Sequence, residues 1–447
     1  GTGDVFFRPA AVTLFTVSPD GLPDSGIDFR SCRITLNGMK TQFEHSEALS
    51  ILSSCCGVTG ETVLTDSAVV ILFAGLLGAG TFPALVTTAV LPFCNGVLIL
   101  PVACLSGRIG GRMLMRVCCL SAFGAYLLAA ASPFFGTLAL AALMIALVLF
   151  SVSISGFIAG WFPLLDTIVT PARRTGFLGR MRFCHQLTAV LFLLLVSCVT
   201  GRNPGAGTMQ LVLFAAALVF FGREFFLECI SRRDSERAPE LPWRTGLATA
   251  VRNHDLTRFS IWQFGLNLGV FGIVPLSMLY LKNELHVDDN RVIAASAAAL
   301  AGMLFGYLVT ALFSAKVNAR TALSVLSLLG IVAGVGLFCV DGHTPAGMAA
   351  VLALLALTNF SIAAASVFCS SVMMHLAAPG NKRIAMAYCG AFYYIGGGVA
   401  RLLIPVLLGW GLSIGGTGGF RTLFLFCGLV SAAVFLTRKW GIPCETH

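Results

Sequence analysis

Leu105-Ser106-Gly107-Arg108-Ile109-Gly110-Gly111-Arg112-Met113-Leu114 is a short basic turn between two long apolar runs. It has an echo in Phe313-Ser314-Ala315-Lys316-Val317-Asn318-Ala319-Arg320-Thr321-Ala322. Both read Ser, small, basic, β-branched aliphatic, small or Asn, small, Arg. The offset between them, 314 − 106, is 208 residues. Pro171-Ala172-Arg173-Arg174 and Pro379-Gly380-Asn381-Lys382 repeat at the same offset. Two matches at one offset read as a duplicated unit.

Composition fixes the solvent. The chain is 57% hydrophobic and 11% charged, with a mean hydropathy of +0.88. A soluble domain carries about 25% charged residues, so a bilayer is the natural medium for this one. The net charge of +9 sits in short loops between apolar runs. That pattern points to membrane orientation and away from nucleic acid. The fifteen cysteines are scattered, with Cys118, Cys119 and Cys198 inside apolar runs and no CxxC spacing. They read as small buried hydrophobes, with no disulfide, metal site or cofactor expected.

Residues 1–38 are polar and aperiodic. The expectation for the whole tail, 1–46, is that it is disordered or not translated in vivo. Apolar runs then lie at 47–76, 81–106, 113–132, 137–165, 183–200 and 208–226. Residues 228–258 are the most charged part of the chain and read as a linker, with a surface helix around 243–253. Six more runs follow, at 259–282, 291–313, 321–340, 346–376, 383–410 and 419–438. The expected domains are a six-helix bundle over 47–227, a cytoplasmic linker over 228–258, a second bundle over 259–438 and a tail over 439–447. With twelve crossings, one side collects Arg108, Arg112, Arg116, Arg173, Arg174, Arg180, Arg182, Arg223 and the linker arginines, then Lys316, Arg320, Lys382 and Arg383. The other side holds Arg202, Lys282, Arg291 and Arg421. The positive-inside rule puts both termini and the linker in the cytoplasm, in an inner or plasma membrane.

Twelve spans in two sixes, a charged linker and a Gly/Arg turn after span two resemble the major facilitator superfamily of secondary transporters. The family turn reads Gly-x-x-x-Asp-Arg-x-Gly-Arg-Arg/Lys. Arg108, Gly110 and Arg112 match its basic and glycine positions, while Gly107 stands at its aspartate. The resemblance implies an all-α membrane fold of two pseudo-symmetric six-helix bundles that rock about a central site. It implies conformational-switch loops built on Arg108, Gly110, Arg112, Arg180, Lys316 and Arg320. Asp166 is expected to pair with Arg108, Arg112 or Arg180.

Charges within the membrane are the best functional lead, because each costs roughly 2.5–3.5 kcal/mol at mid-span. Glu61 and Asp66 lie in span one and Arg401 in span eleven. Asp66 is 18 residues from Ala48 and Arg401 is 18 from Arg383, so the two share a depth and are candidates to pair. Glu61, nearer the midplane, is the expected proton-coupling carboxylate, and Arg401 the expected anion-binding residue. Gln263 and Asn267 share a face of span seven, and Asn359 lies in span ten. Family resemblance places spans one, four, seven and ten along the cavity. Tyr393 and Tyr394, beside Phe392, are candidates to stack on a ring or sugar. His185 is expected among headgroups or the loop network.

There is no GxxxxGK[ST] for ATP phosphates and no HExxH, and no enzyme is expected. The reading is a monomeric secondary transporter of a small solute, proton-coupled, working by alternating access. Two alternatives stand beside it: a lipid or lysophospholipid flippase of the same fold, and a non-transporting sensor.

Overall fold

A computed structural model describes residues 29–105, 111–169, 174–230, 242–313, 317–378, 380–415 and 419–443. The chain divides into two compact units, 1–42 and 43–447. In the first, helix begins at Phe29, within the stretch expected to be aperiodic. Everything below concerns the second.

Eleven stretches of the described residues are helical, long and apolar enough to cross a membrane. One of them, Arg112–Trp161, is 50 residues long. At 1.5 Å per residue it would measure ~75 Å, against a hydrocarbon core of about 30 Å. It breaks at a 3-10 turn, Ser132–Leu138, where Gly136 takes φ +57°, ψ −118°. Only glycine visits that region without strain. Splitting there gives twelve crossings, and the fold is all helix in two six-helix bundles.

In the first half, α1 (Phe29–Thr65) and α2 (Ala68–Leu76) form a broken first span. α3 (Thr81–Leu105), α4 (Gly111–Ala131), α5 (Ala139–Ile168), α6 (Arg174–Val199) and α7 (Ala206–Glu228) follow. α8 (Trp243–Arg252) lies between the halves in sequence. The second half opens on another broken span, α9 (His254–Val270) and α10 (Ile273–Leu279). It continues with α11 (Asp289–Phe313), α12 (Ala319–Cys339), α13 (Pro345–Leu376), α14 (Lys382–Gly415) and α15 (Gly419–Leu436), and closes on the short α16 (Arg438–Gly441).

The duplication is visible in the helix ends. α3 and α11 end at Leu105 and Phe313, and 313 − 105 = 208. The ends of α4 and α12, α5 and α13, and α7 and α15 stand at the same 208-residue spacing. Caps help to set the starts. Asn318 accepts from the Arg320 amide (2.8 Å) to begin α12, and Thr344 accepts from the Gly347 amide (3.0 Å) to begin α13. Both satisfy amides that a helix start leaves without a partner.

Two boundaries in the first six-helix bundle differ from expectation in ways that bear on the site. α6 starts at Arg174, so Arg180 and Arg182 are helical residues and not loop residues. Arginine is a good helix former, and charge alone does not end a helix. The first span is not continuous over 47–76. It breaks at Asp66-Ser67, where Ser67 caps α2 by accepting from the Val69 amide at 3.2 Å.

α3 packs against α14, and α6 against α11, joining the halves. The α3–α14 contact is close because of glycine. A Cβ on Gly96 would lie 2.7 Å from the Ile395 amide nitrogen, and one on Gly398 2.8 Å from Phe93 Cα. The end with Arg112, Arg180 and Arg320 is here the basic end, and the opposite one the distal end. Among the described residues the apolar core forks between them. Toward the distal end one cluster runs across both halves, through Val63, Phe73, Ile273, Val292 and Leu408. At the basic end each half has its own cluster, around Trp161 and Phe177 in the first and Trp262 and Leu323 in the second.

Candidate functional site

The two broken spans hold the site. In α1, the Thr65 hydroxyl donates to the Glu61 carbonyl (2.8 Å) and that of Ser67 to the Val63 carbonyl (2.9 Å). The Ser67 bond serves a carbonyl that the break leaves open, because α1 ends at Thr65. Asp66 projects from the break. In the second half the corresponding break falls at Phe271-Gly272.

Arg401, on α14, spans both breaks. Its Nη1 donates to Asp66 Oδ1 (2.5 Å) and to the Thr88 carbonyl of α3 (2.8 Å). Its Nε donates to the Phe271 carbonyl (3.3 Å), and the guanidinium lies 5.6 Å from the Phe271 ring centre. The structure therefore brings Asp66 and Arg401 together, across the halves. Ala68 N–H to Ser296 Oγ (3.3 Å) and Ser197 Oγ to the Asn290 carbonyl (2.7 Å) also cross between halves toward the distal end. Gln186 Nε2 donates to the Leu300 carbonyl at 3.5 Å, a longer contact of the same kind.

Glu61 meets a different cation. Arg223 Nη2 on α7 lies 3.6 Å from Glu61 Oε2, and the arginine side chain is only 4% exposed. Charge counting assigns Arg223 to the cytoplasmic edge, and the structure corrects that. The guanidinium points inward over the Phe157 and Phe220 rings, 4.5 and 5.2 Å from their centres. Gly57 makes the room, since a Cβ there would lie 1.5 Å from Arg223 Nε. The signal in the sequence is Gly222-Arg223-Glu224 inside an otherwise apolar helix.

Between α6, α11 and α14 lies an aromatic and basic group. Arg182 stands 5.7 Å from the Tyr307 ring centre, and the His185 ring meets Tyr307 edge-on at 6.4 Å. His185 Nδ1 shares a 3.0 Å hydrogen bond with Ser54 of α1, so this histidine lies in the interior and not among headgroups. Tyr393 and Tyr394 are perpendicular neighbours at 5.2 Å, and Tyr393 also meets Phe271 edge-on at 5.5 Å. Tyr394 lies within electrostatic range of Glu61, Asp66, Arg182 and Tyr307. Phe392 meets Tyr388 edge-on at 5.3 Å, apart from that group.

The polar residues of spans seven and ten are buried. Asn267 Nδ2 donates to the Tyr393 carbonyl at 3.0 Å. Gln263 Oε1 and Asn359 Nδ2 have no hydrogen-bond partner among the described residues.

At the basic end, Arg112 meets Glu228 at 2.9 Å, and Arg180 meets Glu47 at 3.7 Å. Arg116 lies 3.9 Å from Glu224 and 3.8 Å from Glu228. Arg112 and Arg180 thus have partners other than the expected Asp166. Sequence reading passes over Glu47, Glu224 and Glu228 because each stands beside a loop. Arg320 Nη2 reaches the Lys439 carbonyl at 3.4 Å. Arg108, Gly110, Lys316 and the Asp166 side chain lie outside the described residues.

Comparison with known proteins agrees with this architecture. The family model of the Major Facilitator Superfamily matches residues 50–400. No curated protein matches the chain by sequence. Among solved structures, a point mutant of the nucleoside transporter NupG is similar at TM-score 0.61 and 12% identity, covering 89% of this chain and 99% of its own. FucP in the outward conformation is similar at TM-score 0.63 and 11% identity, covering 90% and 99%. The human organic anion transporter MFSD10 (TETRAN) is similar at 0.63 and 15%, covering 88% and 99%. At such identities the likeness is one of fold.

Proposed function

The chain belongs to the Major Facilitator Superfamily, and on that footing we propose that it is a secondary transporter that moves a small solute by alternating access, coupled to protons. The forked core carries the reading. One apolar cluster seals the halves together at the distal end, and separate clusters leave each half its own packing at the basic end. A molecule built this way is closed on one side and needs only to exchange which end is sealed. Helix pairs with glycine contacts, such as α3 and α14, suit sliding of one bundle on the other.

The two acids divide the work. Glu61 and its partner Arg223 belong to the same half, so the pair survives any rocking of the bundles. Protonation of Glu61 removes the charge that Arg223 faces. Asp66 and Arg401 belong to opposite halves, and the pair must part when the distal end opens. The basic loops support placing the basic end, with both termini, in the cytoplasm. On the second half, half-buried Tyr393 and Tyr394 supply aromatic surface, and the buried Gln263, Asn267 and Asn359 lie behind it as polar groups that a rearrangement can expose.

The fold relatives named above carry different solutes, so the fold does not choose one. The test is solute-driven proton movement in liposomes containing the purified protein and a pH-sensitive dye. Addition of a transported solute moves protons with the wild type. Glu61→Gln still exchanges solute for solute but moves no protons. Solute flux that is indifferent to pH in the wild type refutes the coupling, and absence of flux for every solute refutes transport.

A further inference from the structure

We infer that the solute is an organic anion bearing a planar ring, its charge received by Arg182 and its ring by Tyr307 and Tyr394. This rests on the space between the halves being the transport path.

Most of the interior charges are already matched. Glu61 faces Arg223 and Asp66 faces Arg401. Arg182 has no carboxylate within 4.0 Å among the described residues, and its guanidinium lies over the Tyr307 ring. It stands in the interior, half-buried, on the face of α6 that meets α11 and within electrostatic range of Tyr393 and Tyr394 on α14. A cation held between two helical bundles in a membrane is costly without a counter-charge. An arriving anion supplies one.

Arg401, the residue that sequence reading favours for this role, is engaged. Its donors already serve Asp66, the Thr88 carbonyl and the Phe271 carbonyl. His185 stands three residues from Arg182, on the same helix face. When Ser54 donates to its Nδ1, Nε2 carries the proton and is a second donor beside the guanidinium. The ring component follows from the neighbours. Tyr307 lies under Arg182, and Tyr394, perpendicular to its neighbour Tyr393, is within electrostatic range of Arg182 and Tyr307. Tyrosine offers both an apolar face and a polar tip.

Binding is read from the thermal stability of the purified protein with matched probes at millimolar concentration: benzoate, phenylacetate and nicotinate against benzamide, phenylacetamide and nicotinamide, with acetate as the ringless anion. The carboxylates should raise the melting temperature by mass action and the amides should not. Arg182→Gln should weaken carboxylate binding by roughly tenfold or more, the loss of one charge-assisted hydrogen bond. Arg182→Lys should keep part of it. Tyr307→Leu should reduce the preference for benzoate over acetate. Arg202→Gln, in an exposed turn, should bind as wild type. Amides that match the carboxylates, no carboxylate binding at all, or Arg182→Gln binding carboxylates like wild type each overturn the inference. Carboxylate binding without flux in liposomes supports the anion site and refutes transport. Flux of a neutral solute that Arg182→Gln leaves intact refutes the anion site and supports transport.

Discussion

Arg223 in the first half and Ser431 in the second occupy equivalent positions, 208 residues apart. One is a buried cation over two phenylalanine rings, the other a buried hydroxyl with no hydrogen-bond partner among the described residues. The same contrast recurs along the fold. Leu193 stands where the second half has Arg401. Up to the breaks the spacing is 205 residues, and there Glu61 corresponds to Leu266 and Asp66 to Phe271. The helices are symmetric and the charges are not. Both acids sit on the first broken span, one matched within its own half and one from across the boundary. Backbone symmetry thus supplies two similar bundles, while the placement of four charged side chains decides which contacts stay and which must break.

The sharpest way to break this comparison is at Arg223. Arg223→Leu leaves the Glu61 carboxylate without its cation and should cost about 3 kcal/mol, read from chemical or thermal unfolding in detergent. Glu61→Gln combined with Arg223→Gln should recover most of that loss. If the double variant is as unstable as the single, the two groups are not coupled. Gly57→Ala should come next, at about 1–3 kcal/mol, because the new methyl occupies the guanidinium's place. Arg401→Gln should cost less, about 1 kcal/mol, since Asp66 is 39% exposed and water screens it. Its signature is instead faster labelling of a cysteine placed at Ala84, behind the distal seal. Unchanged labelling would mean that Arg401 is no latch. The equivalent of the first test, Ser431→Ala, should be the smallest, within about 0.5 kcal/mol of wild type, because it removes a hydroxyl without a partner. A large loss there would make the second half polar in its own way.

Sequence reading reaches far into this fold. Apolar runs and basic turns find the spans, and the 208-residue echo finds the two halves. Equal depth makes Asp66 and Arg401 candidates to meet. What the sequence hides has physical reasons. Arginine's long stem lets it face either water or interior, so Arg223, five residues from the end of α7, reads as a surface charge. Helix breaks such as Asp66-Ser67 and Phe271-Gly272 contain no proline and carry weak signals. Arg401's additional carbonyl partners belong to backbone that only folding exposes. The lack of a carboxylate beside Arg182 is visible only once Glu61 and Asp66 are seen to face Arg223 and Arg401.

The change of spacing from 205 to 208 has a consequence for engineering. Ala68 and Ile273, the starts of α2 and α10, are 205 residues apart, whereas Thr81 and Asp289, the starts of α3 and α11, are 208 apart. The second half therefore carries three additional residues between those points, where Lys282 now bonds Asp289. Three residues inside a helix would add about 4.5 Å to a span fitted to the hydrocarbon. Here they form the π-helical turn Tyr280–Glu284, which lengthens the helix begun at Ile273 to twelve residues against nine in α2, while the connecting turns 77–80 and 285–288 are both four residues long. The extra turn is carried at the distal edge of the span, and a tag or reporter placed there should be tolerated best at the exposed His286.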